Sequence, residues 1–345
     1  VTYDFHFPYQ GLFVQKVTRI DSLGNQEITL FDADDNKLQK SFLDASTLLQ
    51  QETYHYDLCH NLVSTTTLNG VTTEWEWDCM GREVRCTEAK NTTTLHEYNT
   101  LSQKVKTTHP NGITLFFEYD ALGRLASQKS SDGTIHYTFI YDKKDHILLA
   151  KNELTDKATL RTYDALGRLT SETLETGIQF HFSYDPLNRL TLVILPDESF
   201  IHYHYTPCKL SSIERIGPQC YEHHYLSYDL SGNSTCEEFF NGGLLTCSLD
   251  LLHRPIAIKA PHRAEHLSYN QVGDLVSRTV NTHTTHYAYD ALHQLIHEED
   301  TEKNSHNYRY DSESNCIEKN GNSYAVNPLN QITSENGVTY HYDQN

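Results

Sequence analysis

One periodicity governs what this chain can fold into. An aromatic residue followed by Asp or Asn recurs along nearly its whole length. The anchors are Phe31-Asp32, Tyr56-Asp57, Trp77-Asp78, Tyr98-Asn99, Tyr119-Asp120, Tyr141-Asp142, Tyr163-Asp164, Tyr184-Asp185, Tyr228-Asp229, Tyr269-Asn270, Tyr289-Asp290 and Tyr310-Asp311. Tyr205-Thr206 and Leu249-Asp250 keep the place with one member changed. From Tyr56 to Tyr310 the steps are 21, 21, 21, 22, 22, 21, 21, 23, 21, 20, 20 and 21 residues. Chance does not hold such a spacing, and a fixed period of this size marks a repeat architecture. After Tyr310 the step shrinks to 16, through Val326-Asn327 to Tyr342-Asp343.

Each part of the unit has a physical role. The best-formed copies read Tyr119-Asp-Ala-Leu-Gly-Arg-Leu125 and Tyr163-Asp-Ala-Leu-Gly-Arg-Leu169, with Tyr184-Asp-Pro-Leu-Asn-Arg-Leu190 close behind. An Asp just past a strand accepts backbone N–H bonds two residues on, an Asx-turn. Gly81, Gly123, Gly167, Asn188, Gly232 and Gly273 stand four residues after their aromatic, where a tight turn needs φ > 0. The apolar residue two places later starts the next strand. Arg82, Arg124, Arg168, Arg189 and Arg254 are placed to pair with acids of neighbouring units, each exposed pair worth about 0–1 kcal/mol.

A second turn signal lies roughly midway between anchors. Asn69-Gly70, Asn111-Gly112, Asp132-Gly133, Asn241-Gly242, Asn320-Gly321 and Asn336-Gly337 are hairpin signals. The returning strand carries rings at i, i+2, as in Trp75/Trp77, Phe117/Tyr119, Phe182/Tyr184 and Tyr308/Tyr310. That spacing puts both rings on one strand face, and stacking between hairpins predicts an aromatic ladder. Each unit therefore reads strand, hairpin turn, strand, Asx/Gly turn. No stretch carries a convincing 3.6-residue period, although Leu43 to Gln51 has room for one helical turn. The predicted class is all-β: tandem antiparallel hairpins forming a strip. Residues 1–30 read as a degenerate first repeat or cut end, 31–325 as about fourteen units, and 326–345 as shortened repeats.

Composition excludes several functions. With 27 basic and 46 acidic side chains the formal charge is −19, unsuited to nucleic acid or an anionic membrane. Hydrophobic residues are only 37 %, too few for a large core, yet 23 tyrosines set the chain apart from disordered sequences. No apolar run approaches the roughly 20 residues of a spanning helix, and no signal peptide opens the chain. Both ends look cut, so a fragment of a longer polypeptide is expected. The eight cysteines form no C-x-x-C pair, which predicts free, partly buried thiols.

The anchors and their turns resemble the YD repeat of the Rhs family, found also in wall-associated bacterial toxins, the B/C components of insecticidal toxin complexes, and animal teneurins. The likeness covers about residues 20–345. It implies a long β-strip spiralling into a hollow shell that encloses a C-terminal toxic domain in the bacterial members and serves adhesion in the animal ones. It implies as partners the rest of the same polypeptide: a plug, a self-cleaving core segment and the toxin. It also implies a secreted or cell-surface location after export. The plug and core segment are not recognisable here, because Asp185-Pro186 sits inside an ordinary repeat. About 30 strands at roughly 4.8 Å make about 145 Å of strip, one turn of wall.

The anchor residues therefore read as structural: Tyr56, Asp57, Trp77, Asp78, Gly81, Tyr119, Asp120, Gly123, Tyr141, Asp142, Tyr163, Asp164, Gly167, Tyr184, Asp185, Tyr228, Asp229, Gly232, Tyr289, Asp290, Tyr310 and Asp311. Regular carboxylates such as Asp164 and Asp185 predict turn capping rather than a glycosidase pair. No nucleophile elbow, phosphate loop or dinucleotide fingerprint occurs, so no enzyme and no cofactor are expected. Histidine is abundant, at 21 residues, with His202/His204 on one strand face and His223-His224 adjacent, but carboxylate ligands are not concentrated beside them. Protonating all 21 would carry the charge from −19 to about +2, so a response near pH 5.5 is expected. Asn91-Thr92-Thr93 and Asn233-Ser234-Thr235 match the glycosylation sequon. The predicted function is a shell segment around a toxin. The alternative is a cell-surface adhesion or glycan-binding strip, since exposed rings stack on sugars.

Overall fold

Alternating residues separated by turn signals leave this chain no option but strands, and the computed structural model consists of them. It describes residues 1–89 and 92–342. The sequon at Asn91 and the acidic member of Tyr342-Asp343 lie outside the described residues. There are 33 strands and, among the described residues, no helix. No helix is thus long and apolar enough to cross a membrane. Leu43 to Gln51 is not helical. It ends the strand Lys37–Asp44 and begins Thr47–Tyr56, because Ala45 at φ 51° closes a tight turn between them.

Each strand pairs antiparallel with the next. This holds from Thr2–Tyr9 through Thr92–Tyr98. It holds again from Thr114–Tyr119 through Arg263–Tyr269, and from Leu275–Val280 through Val338–Thr339. Successive turns therefore fall on opposite edges, anchor turns on one and midway turns on the other. The chain forms two compact units. One contains Val1–Glu97, Thr107–Gly112 and the chain from Leu267 onward; the other contains Tyr98–Lys106 and Ile113–His266.

Anchor turns insert one extra residue. In the pair Thr114–Tyr119 with Leu125–Ser130, Glu118 faces Ser127 but Tyr119 faces Leu125. The same bulge recurs at Tyr56/Leu62, Trp77/Glu83, Tyr141/Ile147, Tyr163/Leu169, Tyr184/Leu190 and Tyr289/Leu295. Its cause is the residue four past the aromatic, which is left-handed: φ is 83° at Gly123 and 64° at Asn188. The midway turns are more varied than their sequence suggests. At Asn320-Gly321 and Asn336-Gly337 both residues are left-handed, the two-residue hairpin. At Gly70, Gly112, Gly133 and Gly242 only the glycine is left-handed. There, as in Thr67 to Val71, the longer bulged loop of the anchor turns is used again.

The sheet has almost no core. Val14, Leu30 and Val193 are the buried hydrophobic side chains among the described residues. Alternation still distinguishes two faces. In Gln179–Tyr184 the rings of Phe180, Phe182 and Tyr184 are half-buried, while Gln179, His181 and Ser183 are exposed. In Thr72–Trp77 the two tryptophans are half-buried between exposed Glu74 and Glu76. A single layer cannot hide its rings against a second sheet, so something other than a core must cover them.

Candidate functional site

The repeated feature of this structure is the anchor turn. Asp120 shows its parts. Its N–H donates to the Arg124 carbonyl at 2.9 Å, and the Gly123 N–H donates back to the Asp120 carbonyl at 3.0 Å. Its Oδ1 accepts from the N–H groups of Leu122 and Arg124, at 2.9 and 3.0 Å, and its Oδ2 accepts from Arg124 Nε at 2.8 Å. One carboxylate thus satisfies donors that a tight turn otherwise leaves unpaired.

The other anchor acids repeat this. Asp78, Asp164, Asp185 and Asp250 each cap their turn and hold the Arg four residues on, with Nε to Oδ2 at 2.7 Å in all four. Asp57, Asp229 and Asp311 hold an Asn side chain in that place, and Asp142 holds His146 Nδ1 at 2.8 Å. Asp290 caps through the N–H groups of Leu292 and Gln294. Asn99, Asn270 and Asn327 do the same work without the charge. The expected partner of the arginines needs correcting. Arg82, Arg124, Arg168, Arg189 and Arg254 pair with their own unit's Asp, and Arg124 also reaches an acid of the next unit, Asp145 at 2.9 Å. Four residues of turn bring the guanidinium back over its own carboxylate, a shorter reach than crossing two strands.

The arginines do bind the next unit, through its backbone and ring. Arg124 NH1 donates to the Asp142 carbonyl at 2.6 Å, Arg168 NH1 to Asp185 at 3.0 Å and Arg189 NH1 to Thr206 at 2.9 Å. Each guanidinium lies over the next anchor ring, at 4.7 Å for Tyr141, 4.9 Å for Tyr184 and 4.4 Å for Tyr205. Lys209 covers Tyr228 in the same way, and the His146 ring stacks on Tyr163 at 4.6 Å. The expected ladder of ring on ring is, at these anchors, a ladder of ring on cation or imidazole. Gly167 needs its missing side chain here: a Cβ would stand 2.8 Å from the His146 ring, besides the strain of φ 86°.

A return bond runs the other way, and sequence reasoning missed it. The hydroxyl of Tyr119 donates to the Lys104 carbonyl at 2.8 Å, Tyr141 to Leu125 at 2.7 Å, Tyr163 to Ile147 at 3.1 Å, Tyr205 to Leu190 at 2.8 Å and Tyr228 to Leu210 at 2.6 Å. Trp77 Nε1 makes the equivalent bond to Leu62 at 2.8 Å. The acceptor opens a strand of the preceding unit. The signal was the choice of Tyr over Phe at the anchors, since only a ring with a polar tip reaches that carbonyl.

Hydrogen bonding holds these carboxyls ionised. The His146 side chain, helped by backbone donors, pulls Asp142 down to about 2 against the cost of desolvation. The Asn233 side chain does the same for Asp229, also to about 2, with help from its backbone N–H and His253. Burial raises the Tyr141 and Tyr205 hydroxyls, and a bond to Glu298 pushes Tyr308 up to about 12.

Other candidate chemistry finds no assembled site. Among the described residues no three of His, Cys, Asp and Glu converge as metal ligands. His202 and His204 stack at 6.2 Å, while His223 and His224 point to different partners, Glu237 and Glu222. All eight cysteines are free, but Cys59, Cys79, Cys208 and Cys220 are exposed rather than partly buried, because the first three occupy turn tips. Asn233 of the second sequon spends its side-chain amide on Asp229.

Comparison with known proteins agrees with this geometry. Residues 163–199, two successive anchor turns with their strands, match the family model described as RHS Repeat. Those residues carry an RHS repeat. Among solved structures, it is similar to TcdB2-TccC3 without its hypervariable C-terminal region, at 14 % identity and TM-score 0.76 over 91 % of this chain. It is similar to TcdB2-TccC3-TEV at 13 % identity and TM-score 0.76 over 93 %. It is also similar to the Photorhabdus luminescens Tc holotoxin pore with a TccC3 mutation, at 14 % identity and TM-score 0.74 over 89 %. At such identity the likeness is one of fold. The chain spans about a fifth of each of those chains, 20 %, 22 % and 20 %. No curated protein sequence matches it.

Two predictions follow from the turn ladder. Tyr141→Phe is expected to cost about 1 kcal/mol in urea unfolding, the net worth of one hydrogen bond. Tyr137→Phe, at an exposed ring of the same strand, is expected to cost nothing measurable. Equal effects would sever stability from the hydroxyl–carbonyl bond. The second concerns acid. Asp142 and Asp229 are depressed in the folded state, so their contribution is complete above the ordinary carboxyl value of 3.8 and is lost as pH falls toward 2. Melting temperature followed from pH 5 to pH 2 is expected to fall most steeply below pH 4, and Asp142→Asn is expected to flatten that fall.

Proposed function

We propose that this strip is a wall segment of an Rhs-type shell, a non-enzymatic barrier that keeps a C-terminal toxin domain of the same polypeptide from its surroundings until delivery. The observation that carries the reading is the fold likeness to the TcdB2-TccC3 structures over about nine-tenths of the chain. One of them is described as lacking its hypervariable C-terminal region, so in that protein the matching strip stands without it. The geometry suits a wall. A single sheet lets one short chain cover a large area, and the turn ladder stiffens it without a core. The partners on this reading are the remaining shell and the enclosed domain, and the location is outside the producing cell.

The test is to express the full-length polypeptide, run it on size exclusion and weigh each species by mass spectrometry. A C-terminal fragment that is cut from the repeat portion yet co-elutes with it is the expected result. A single uncut chain whose C-terminal end is as open to protease as the rest would contradict enclosure. It would turn attention to adhesion, through glycan and cell-binding assays.

A further inference from the structure

Five side-chain polar atoms are buried without a hydrogen-bond partner among the described residues, and three of them gather in one place. They are Thr67 Oγ1, Ser312 Oγ and Glu313 Oε1, and all three residues line the same cavity of about 280 Å³. The other two belong to Arg215 and Ser234, which do not line it. Buried polar groups are nearly always paired, so each orphan asks for an explanation. A cluster of three asks for one that they share.

The chain builds this cavity from two sides. Strands Lys37–Asp44, Thr47–Tyr56 and Leu62–Thr67 supply one wall, and the anchor turn after Tyr310 supplies the other. Both walls belong to the compact unit that contains Val1–Glu97 and the chain from Leu267 onward. Gln50 Nε2 donates to Ser314 Oγ at 3.1 Å and ties them together. Turn capping does not account for the orphans. The Glu313 N–H is spent on Asp311 Oδ1 at 2.9 Å, with no part for its side chain. Thr67 closes its midway turn through its backbone, N–H to the Val71 carbonyl and carbonyl to the Gly70 N–H, both at 2.9 Å. Its hydroxyl takes no part either.

The lining selects the occupant. Lys40 brings a positive charge, and Glu52 and Glu313 bring negative ones. Lys40 Nζ stands 3.2 Å from Glu27 Oε2, and Glu52 accepts from the Tyr54 hydroxyl. Mixed signs favour a neutral ligand over an ion. Hydroxyls, amides and carboxylates together donate and accept, which suits a ligand whose own hydroxyls do both. Phe42 adds an apolar ring surface. At about 280 Å³ the cavity lies near the lower end of the roughly 300–1,000 Å³ of small-molecule sites, room for one sugar ring and not for a crossing strand of polypeptide. We infer that this cavity is a binding site for a single neutral sugar ring, with Glu313 accepting from one ligand hydroxyl and Thr67 and Ser312 turning to bond others. This goes beyond the shell reading and does not depend on it.

The test titrates the chain as it stands with free D-glucose, D-galactose, D-mannose and N-acetyl-D-glucosamine, followed by ligand-observed NMR. At least one of the four is expected to bind, at a single site per chain. Thr67→Val and Glu313→Gln are each expected to weaken that binding about tenfold, the worth of one hydrogen bond. Thr67→Val keeps the shape of the side chain and removes an unpaired hydroxyl. Without sugar, its melting temperature is therefore expected to equal or exceed that of the unaltered chain. A Thr67→Val chain that melts lower would show the hydroxyl already serving the fold, and would overturn the proposal. So would no binding by any of the four sugars, which would leave the cavity to water. Binding that both variants retain in full would also overturn it, by placing the sugar on exposed rings elsewhere along the strip.

Discussion

A tyrosine hydroxyl bonded to a backbone carbonyl one unit back, under a guanidinium from that same unit, is the joint on which this strip depends. A one-layer sheet cannot gather its apolar side chains into an interior, and only three hydrophobic residues are buried among the described residues. Stability must come from contacts between neighbouring hairpins. The backbone ladder supplies part, but it is common to all sheets. The turn edge adds a bond in each direction: Tyr141 back to Leu125 and Arg124 forward to Asp142. The guanidinium also covers the ring that has no second layer to cover it. An acid that was free to protonate or swing away would release both, which is why Asp120 is held by backbone and side-chain donors together.

Because each unit touches only its neighbours, stability approximates a sum of unit and interface terms. That explains how the units tolerate drift. The fourth position after Asp is Arg, Asn, His or Gln in different units, and every choice keeps a donor near the turn. At Gly167 the left-handed position is Gly with the previous unit's His146 lying close. It is His60, His253 or His293 elsewhere, despite the strain of a side chain at that φ. In those units the imidazole reaches back to Asn36, Asp229 and Asp274 of the preceding turn. These three units replace glycine with another link to a neighbour.

The period, the hairpin unit, the Asx cap and the left-handed fourth position were all legible in the sequence, because each is a local consequence of residue type. Asp120 and Gly123 need nothing beyond their own turn to declare their roles. What could not be read depended on neighbours two strands away. Spacing gave no reason to send Arg168 to its own Asp164 and then over Tyr184, rather than to a foreign acid. The i, i+2 rings fixed a face, but not that cations would interleave them. Leu43 to Gln51 lacked a turn signal and admitted a helical turn, and the register of its partner strands decided against it. Leu292 lines one groove with Leu43 and Leu49, residues about 250 positions away and beyond the reach of any local pattern.

Native-state hydrogen exchange, read by residue along the strip, tests most directly that the turn edge rather than a core holds these units together. The account predicts that the amides of Arg124, Arg168 and Arg189, bonded to Asp120, Asp164 and Asp185, are as protected as mid-strand amides such as Phe139 and Phe182. It predicts that they exchange in the same cooperative opening. Turn amides that exchange freely while strand amides remain protected would contradict it.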